Sequence, residues 1–321
     1  MSLLRSTQVR NPLLRRVLFS RNAARWVKSL LYVDPAVVVV TKPHDLVCQL
    51  IHHKLPAGRV NHFNVMMEDL KAHLSLKTFP YSVHRLDKGT TGALLLALTQ
   101  SSARQISQQF QKRTVQKTYL ALVRGGEKSF PEAFGEIRTS LKTVDGYPEV
   151  DLSLQGQPCA TDWKLLASSP IAPVSLLELN LLTGYKHQLR VHLAKCLHAP
   201  ILGDAQYSKK PLSSAITDVV KIPEDRIFLH ASEISFFKYK SSGPHKQFRL
   251  AVRAPLPREF LKLCKDLKIP LRTADILGGM AIDGEPTKED SIAEVNGRWV
   301  HKIYPTQKKA IGYMENYTSQ T

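Results

Sequence analysis

Six consecutive apolar residues, Ala93-Leu94-Leu95-Leu96-Ala97-Leu98, set the strongest constraint on how this chain folds. A strand that faces water on one side alternates apolar and polar residues, whereas an unbroken run is covered on both faces. The fold therefore needs packed layers above and below this strand. It is fed by Val83-His84-Arg85-Leu86-Asp87-Lys88-Gly89-Thr90-Thr91-Gly92, after the turn-rich Phe79-Pro80-Tyr81-Ser82. Packing alone does not require a His, an Arg and an Asp within four positions at the mouth of a core strand. Such polarity fits a functional loop on a rigid scaffold. Asp87, beside Arg85 and Lys88, is the candidate carboxylate. The competing reading is a loop aspartate that caps a turn or pairs with a nearby arginine.

Charge narrows the partner. The 321 residues hold 45 Lys and Arg against 27 Asp and Glu, a net charge of +18. Seven of these charges (Arg5, Arg10, Arg15, Arg16, Arg21, Arg25 and Lys28) precede the first acid, Asp34, which leaves +11 for the rest. A body basic in its own right points to a polyanion, because Lys and Arg displace counterions from phosphates. Residues 1–28 are Arg-rich and acid-free, and Leu13 to Phe19 can form one face of an amphipathic helix. This composition predicts a mitochondrial transit segment and a matrix location; a basic arm on RNA is the alternative. Cys48, Cys159, Cys196 and Cys264 are far apart, so neither a disulfide framework nor a zinc site is expected. His187 and His192 are five apart rather than four, and no metal is expected. No apolar run approaches the roughly 18 residues of a membrane span. Dinucleotide, P-loop and nucleophile-elbow patterns are missing from the sequence.

Periodicity predicts a strand, turn and strand over 29–43, broken by Pro35, then a helix over 64–75 and a strand over 93–99. An amphipathic helix follows over 101–113, with Ala103, Ile106 and Phe110 on one side. Residues 115–123 read as a strand ended by Gly125-Gly126. Residues 127–158 read as irregular, with short strand-like pieces. Strands are expected over 161–166, 174–182, 228–231, 234–236 and 247–252, and helices over 188–194 and 258–270. Residues 271–321 are polar and poorly periodic, and are expected to form an appendage. This order predicts an α+β fold, a mostly antiparallel or mixed central sheet with flanking helices, in one domain over 29–270.

Two further clusters carry chemistry. Thr183-Gly184-Tyr185-Lys186-His187-Gln188-Leu189-Arg190-Val191-His192 leads into a helix. Lys186 and Arg190 there suit a phosphate or carboxylate, against a merely solvated basic turn. Lys117-Thr118-Tyr119 puts an aromatic on an aliphatic strand, either in the core or as a base-stacking ring.

Together and in order, these segments resemble the RluA-type RNA pseudouridine synthases. The resemblance rests on His84-Arg85-Leu86-Asp87 with Thr90-Thr91-Gly92, on Lys42-Pro43, Lys117-Thr118-Tyr119, Thr183 through Leu193, Leu202-Gly203-Asp204 with Tyr207, Leu229-His230-Ala231 and Ala254-Pro255-Leu256-Pro257. It covers roughly residues 29–260. It implies a catalytic domain with a central cleft that isomerises uridine in RNA without cofactor or metal. The N1–C1′ bond breaks, the base turns, and C5 joins C1′. Asp87 would be the essential carboxylate, as nucleophile or base at the sugar. Arg190 would pair with Asp87. Tyr119 would stack on the uracil and help remove the C5 proton. Arg85 would hold the space left by a flipped base. His84, Lys117, Lys186, His187, Gln188 and Leu189 would contact RNA.

The sequence departs from the family pattern at two points. Tyr185-Lys186 stand where Arg-Thr are usual, and His44-Asp45 where a small residue and Gly are usual. No S4 RNA-binding domain is expected ahead of the core. The implied partners are rRNA, tRNA or mRNA, with mitochondrial RNA-processing or ribosome-assembly proteins. An assembly factor that keeps the fold without needing catalysis, and a structural ribosomal protein, are the competing classes.

Overall fold

The computed structural model describes residues 26–50, 60–240, 246–302, 307–308 and 310–311. The expected transit segment lies outside these, apart from its last three residues. Trp26 is packed in the core, so the folded part begins ahead of the expected boundary at 28.

Strands β1 (Leu30–Val33) and β2 (Val37–Lys42) flank a tight turn. Buried Asp34 closes it by accepting from the Ala36 and Val37 amides at 2.7 and 2.9 Å. Helix α1 (His62–His73) starts at Asn61, whose side chain caps the Phe63 and Asn64 amides. Strands β3 (Tyr81–Ser82) and β4 (Thr91–Ala97) follow. Helix α2 (Gln100–Gln111) opens with a Thr99–Ser102 capping box. Strands β5 (Gln116–Arg124), β6 (Phe134–Val144), β7 (Tyr147–Val150), β8 (Gln157–Ser168) and β9 (Val174–Leu181) are antiparallel, β9 pairing β5 and β8, and β6 pairing β8 and β7. Then come α3 (Gln188–Val191), extended by a π turn over His192–Cys196, and α4 (Ser214–Thr217). Strands β10 (Leu229–Tyr239) and β11 (Gln247–Arg253) precede α5 (Arg258–Asp266) and α6 (Thr273–Leu277). Four short strands end the described chain: β12 (Gly279–Ile282), β13 (Glu285–Pro286), β14 (Ser291–Ile292) and β15 (Gly297–Trp299).

Among the described residues all these strands join one mixed sheet. Its path is β14-β15-β1-β2-β4-β10-β5-β9-β8-β6-β7, with β11, β12 and β13 branching from β10. Only the β4–β10 pairing is parallel among them. All seven residues of β4 are buried. Leu94 and Leu96 share a core with Phe63, Met66, Met67 and Leu70 of α1. Ala93 and Leu95 share another with Ile106 of α2 and Phe236 of β10. The apolar run is thus sandwiched, as its lack of alternation requires.

Two expectations over long stretches need correction. Residues 127–158 are not mainly irregular, because β6 alone spans eleven residues. Its burial pattern is broken and its outer partner, β7, is an edge strand, so the sequence shows no clean alternation. The chain after 271 does not stand apart. Strand β12 pairs with β11 and β15 with β1. Strands of two to four residues are too short for periodicity to reveal; edge strands already built by the core recruit them.

Candidate active site

The sheet register brings the three chemical segments together. On β10, Ala231 lies between Gly92 of β4 and Tyr119 of β5. Tyr119 in turn faces Leu179 of β9, and β9 runs out through Thr183 into α3, which carries Arg190. The parallel β4–β10 contact needs Gly92. Its φ is +111°, and a Cβ there would sit 2.1 Å from the Ala231 carbonyl oxygen. The result is a cleft of about 330 Å³, lined by His84, Arg85, Leu86, Asp87, Thr90, Phe110, Lys117, Tyr119, Leu181, Gly184, Tyr185, Lys186, Gln188, Leu189, Arg190 and Leu229. That volume lies at the low end of ligand pockets, roughly 300–1,000 Å³, and suits one nucleoside rather than a run of bases.

The Asp87 turn is held from below. Its own carbonyl accepts from the Thr90 amide at 3.1 Å. The next carbonyl, Lys88 O, accepts from Lys42 Nζ at 2.9 Å. Lys42 is fully buried, and its other bonds go to Pro43 O and Leu46 O at 2.8 and 2.9 Å. Burial lowers its pKa to about 8, against the pull of Cys48, Asp87 and Asp45. Beyond the turn, Thr91 Oγ1 donates to His230 Nδ1 at 2.9 Å, and the other ring nitrogen donates to Ala254 O at 3.2 Å. His230 is kept neutral by burial, at about 4. The Asp87 carboxylate itself has no hydrogen-bond or ion-pair partner among the described residues, so both oxygens are available to the cleft.

Arg190 does not take Asp87 as its ion-pair partner. Its Nε and Nη2 donate to Oδ2 and Oδ1 of Asp204, both at 2.7 Å. Asp204 is buried and also accepts from the Gln206 and Tyr207 amides. The Tyr207 ring packs 4.9 Å from the guanidinium. Burial opposes the Arg190 charge, but Asp204 outweighs it, with Asp87 adding to the same effect, and the pKa ends above its ordinary value. Arg190 is therefore a fixed cation, clamped by Asp204 and lining the same cleft as Asp87. The Tyr119 hydroxyl is raised well above the ordinary phenol range, first by burial and then by Asp87. It stays protonated.

The remaining predicted contacts divide. Arg85 is exposed on the cleft wall. Lys117 also lines it, near Thr183 O at 3.4 Å, and burial and Arg113 lower its pKa to about 8. Leu189 supplies buried apolar wall. His84 lines the cleft but is held as a structural acceptor. Its Nε2 takes the Leu95 amide at 2.9 Å, its ring stacks on Phe110, and burial lowers its pKa to about 3. The Gln188 amide is consumed locally: Oε1 accepts from Thr183 Oγ1 and Tyr185 N, and Nε2 donates to Ala160 O and Thr161 Oγ1. It shapes the turn rather than offering a free group. His187 is not among the cleft-lining residues; it adopts a left-handed conformation (φ 52°) and bonds Tyr207 at 2.9 Å.

Both departures from the family pattern have a local explanation. Asp45 has φ 65°, the conformation a glycine would supply, and aspartate tolerates it better than most residues. Tyr185 and Lys186 fasten the β6–β7 hairpin to the cleft. Tyr185 OH meets Thr143 Oγ1 at 3.1 Å, and Lys186 Nζ donates to Gly146 O at 2.9 Å over the Tyr147 ring. Sequence reasoning gave no role to Lys42, Asp204 or Tyr207. Their signal was only their place among the ordered landmarks.

An RNA pseudouridylate synthase family model matches residues 36–195. The mitochondrial pseudouridylate synthase RPUSD4 of Xenopus tropicalis is 32% identical, over 74% of this chain and 79% of that protein. The tRNA pseudouridine synthase C of Pasteurella multocida is 31% identical, over 73% of this chain and 93% of its own. This chain belongs to the RNA pseudouridylate synthase family. Among solved structures, human RNA pseudouridylate synthase domain containing 4 superposes with a TM-score of 0.59 at 26% identity, covering 76% of this chain and 94% of that one. The mixed sheet with its flanking helices is the family's fold. No helix of the described residues is long and apolar enough to cross a membrane.

Proposed function

We propose that this chain converts uridines of mitochondrial RNA to pseudouridine in the matrix, with Asp87 as the reactive carboxylate. The observation that carries the assignment is an unpaired carboxylate in a nucleoside-sized cleft that a neutral phenol and a clamped guanidinium also line. Glycosidic cleavage builds positive character at C1′, and a carboxylate serves it either as nucleophile or as base at the sugar. Tyr119 stacks on the uracil. As a neutral phenol it is a poor base for the C5 proton, so stacking is its main role. Entry to the cleft requires the uridine to leave its helix, with Arg85 at the rim to occupy the gap. Lys117 and the other basic groups around the opening bind phosphates. The RPUSD4 relative and the acid-free, Arg-rich residues 1–28 support a mitochondrial address.

Joining C5 to C1′ expels the C5 proton, so tritium release from C5-tritiated RNA measures the reaction. The wild-type chain releases tritium; Asp87→Asn binds the same RNA and releases none. Equal release by both proteins would remove Asp87 from the mechanism.

A further inference from the structure

Arg226 is only 3% exposed, yet no carboxylate lies within ion-pair distance of it among the described residues. Its Nη1 donates to the carbonyls of Ile227 and Gly89, the latter at 3.4 Å. Its Nε and Nη2 are buried without a partner, and the guanidinium lies 5.2 Å from the Phe228 ring centre. A buried cation without an ion-pair partner is destabilising, and this cost is incurred at one defined place. Gly89 follows directly after Lys88, whose carbonyl is bound by another buried cation, Lys42. Three successive carbonyls of the turn are therefore held: Asp87 by the Thr90 amide, Lys88 by Lys42, and Gly89 by Arg226. Holding three successive peptide planes restrains the backbone turn that carries Asp87.

The same residue touches the second active-site turn. A Cβ on Gly203 would lie 1.8 Å from the Arg226 carbonyl oxygen, so Gly203 packs directly on the Arg226 backbone. Asp204, the clamp of Arg190, comes next. The side chain of Ile227 presses on Gly89, with its Cδ1 3.0 Å from where a Cβ would be. Residues 226–227 thus sit between the turn that aims Asp87 and the turn that holds Arg190.

We propose that Arg226 is a positioning residue for the isomerisation, acting through the Gly89 carbonyl to hold the Asp87 turn in its reactive orientation. This rests on Asp87 being the reactive carboxylate. Arg226 does not line the cleft, so RNA affinity is not expected to depend on it. It also stands near Lys42, which faces Cys48, Asp45 and Asp87 as well, and its like charge helps to depress the Lys42 pKa.

The test uses the full chain and C5-tritiated total RNA from cells lacking it. Single-turnover tritium release, RNA affinity by filter binding, and thermal melting are measured for wild type, Asp87→Asn, Arg226→Met, Arg226→Gln and Arg226→Lys. Arg226→Met is expected to bind RNA within about twofold of wild type and to release tritium at least tenfold more slowly. Release is also followed from pH 6 to 10: the wild-type rate is expected to fall on its alkaline limb as Lys42, which holds the Lys88 carbonyl, loses its proton, and in Arg226→Met this limb is expected to move to higher pH because Lys42 loses a like-charged neighbour. Arg226→Lys, which restores a cation, is expected to recover most of the rate. A folded Arg226→Met with the wild-type rate and an unshifted limb overturns the proposal. So does a rate loss that matches the loss of folded protein in every variant. If Arg226→Met does not fold, Arg226→Gln carries the same test with the same overturning result. Full activity in Asp87→Asn would instead overturn the assignment of the reactive carboxylate, so the two failures are distinguishable.

Discussion

Replacing Asp204 with Asn tests the clamp on Arg190. The pair is buried, with side-chain exposures of 8% for Arg190 and 1% for Asp204. It has two charge-assisted hydrogen bonds at 2.7 Å. Each such bond contributes about 1.5–3 kcal/mol, and removing one partner of a buried pair costs about 3–5 kcal/mol because the other charge is left unpaired. Asparagine keeps the shape and the acceptor for the Gln206 and Tyr207 amides, but turns an N–H group toward one of the arginine N–H groups. Against a total stability of about 5–15 kcal/mol, the variant should fold with a reduced margin. With a urea slope of about 3 kcal/mol per molar, the midpoint should fall by about 1 M or more. Urea titrations followed by tryptophan fluorescence on Asp204→Asn, Arg190→Gln and the double variant give the coupling directly, expected at about 2–3 kcal/mol. In protein that remains folded, tritium release should also fall more than tenfold. A cost below about 1 kcal/mol, the size for a solvent-exposed pair, would refute the clamp.

Stability should depend on pH through Lys42. Its folded pKa is depressed to about 8, whereas the unfolded chain keeps the proton until about 10.5. Between these values the unfolded state binds more protons, so stability rises with pH, by on the order of 1–3 kcal/mol. Lys42→Met flattens this rise in urea titrations at pH 7 to 10. Replacing Tyr119 with Phe preserves the ring and should reduce tritium release by less than tenfold, while Tyr119→Ala should nearly abolish it; equal effects would reject stacking as the main role. His84→Ala leaves the buried Leu95 amide without its acceptor, worth about 1–3 kcal/mol, which a lowered melting temperature would report. Gly92→Ala should yield little folded protein on expression, because no shift of a flexible side chain relieves the clash with the Ala231 carbonyl.

Asp87, Tyr119 and Arg190 were legible because a polar loop opens an apolar strand, an aromatic ring interrupts an aliphatic strand, and a basic run leads into a helix, all in the family's order. The partner of Arg190 was not. Asp204 lies fourteen residues further on, and it reaches Arg190 through the turn at Gly203 (φ 77°). Residue type alone cannot choose between two aspartates that both feel the same arginine. His84 and Gln188 look like functional groups in sequence, yet their hydrogen bonds are spent on the Leu95 amide and on the turn at 183–185. Lys42 shows the converse. Its burial against three backbone carbonyls is invisible to a pattern that expects lysine at the surface. The central strands were readable from apolar runs, but β12 to β15 depend on pairing with β11 and β1 rather than on their own periodicity.

The most direct measurement is single-nucleotide pseudouridine mapping of mitochondrial RNA from cells lacking this protein, complemented with wild type or with Asp87→Asn. Restoration of the same set of pseudouridines by wild type, and of none by Asp87→Asn at equal protein level, is the predicted result. Identical maps with both proteins would contradict the account, because the carboxylate around which the cleft is built would then have no part in making them.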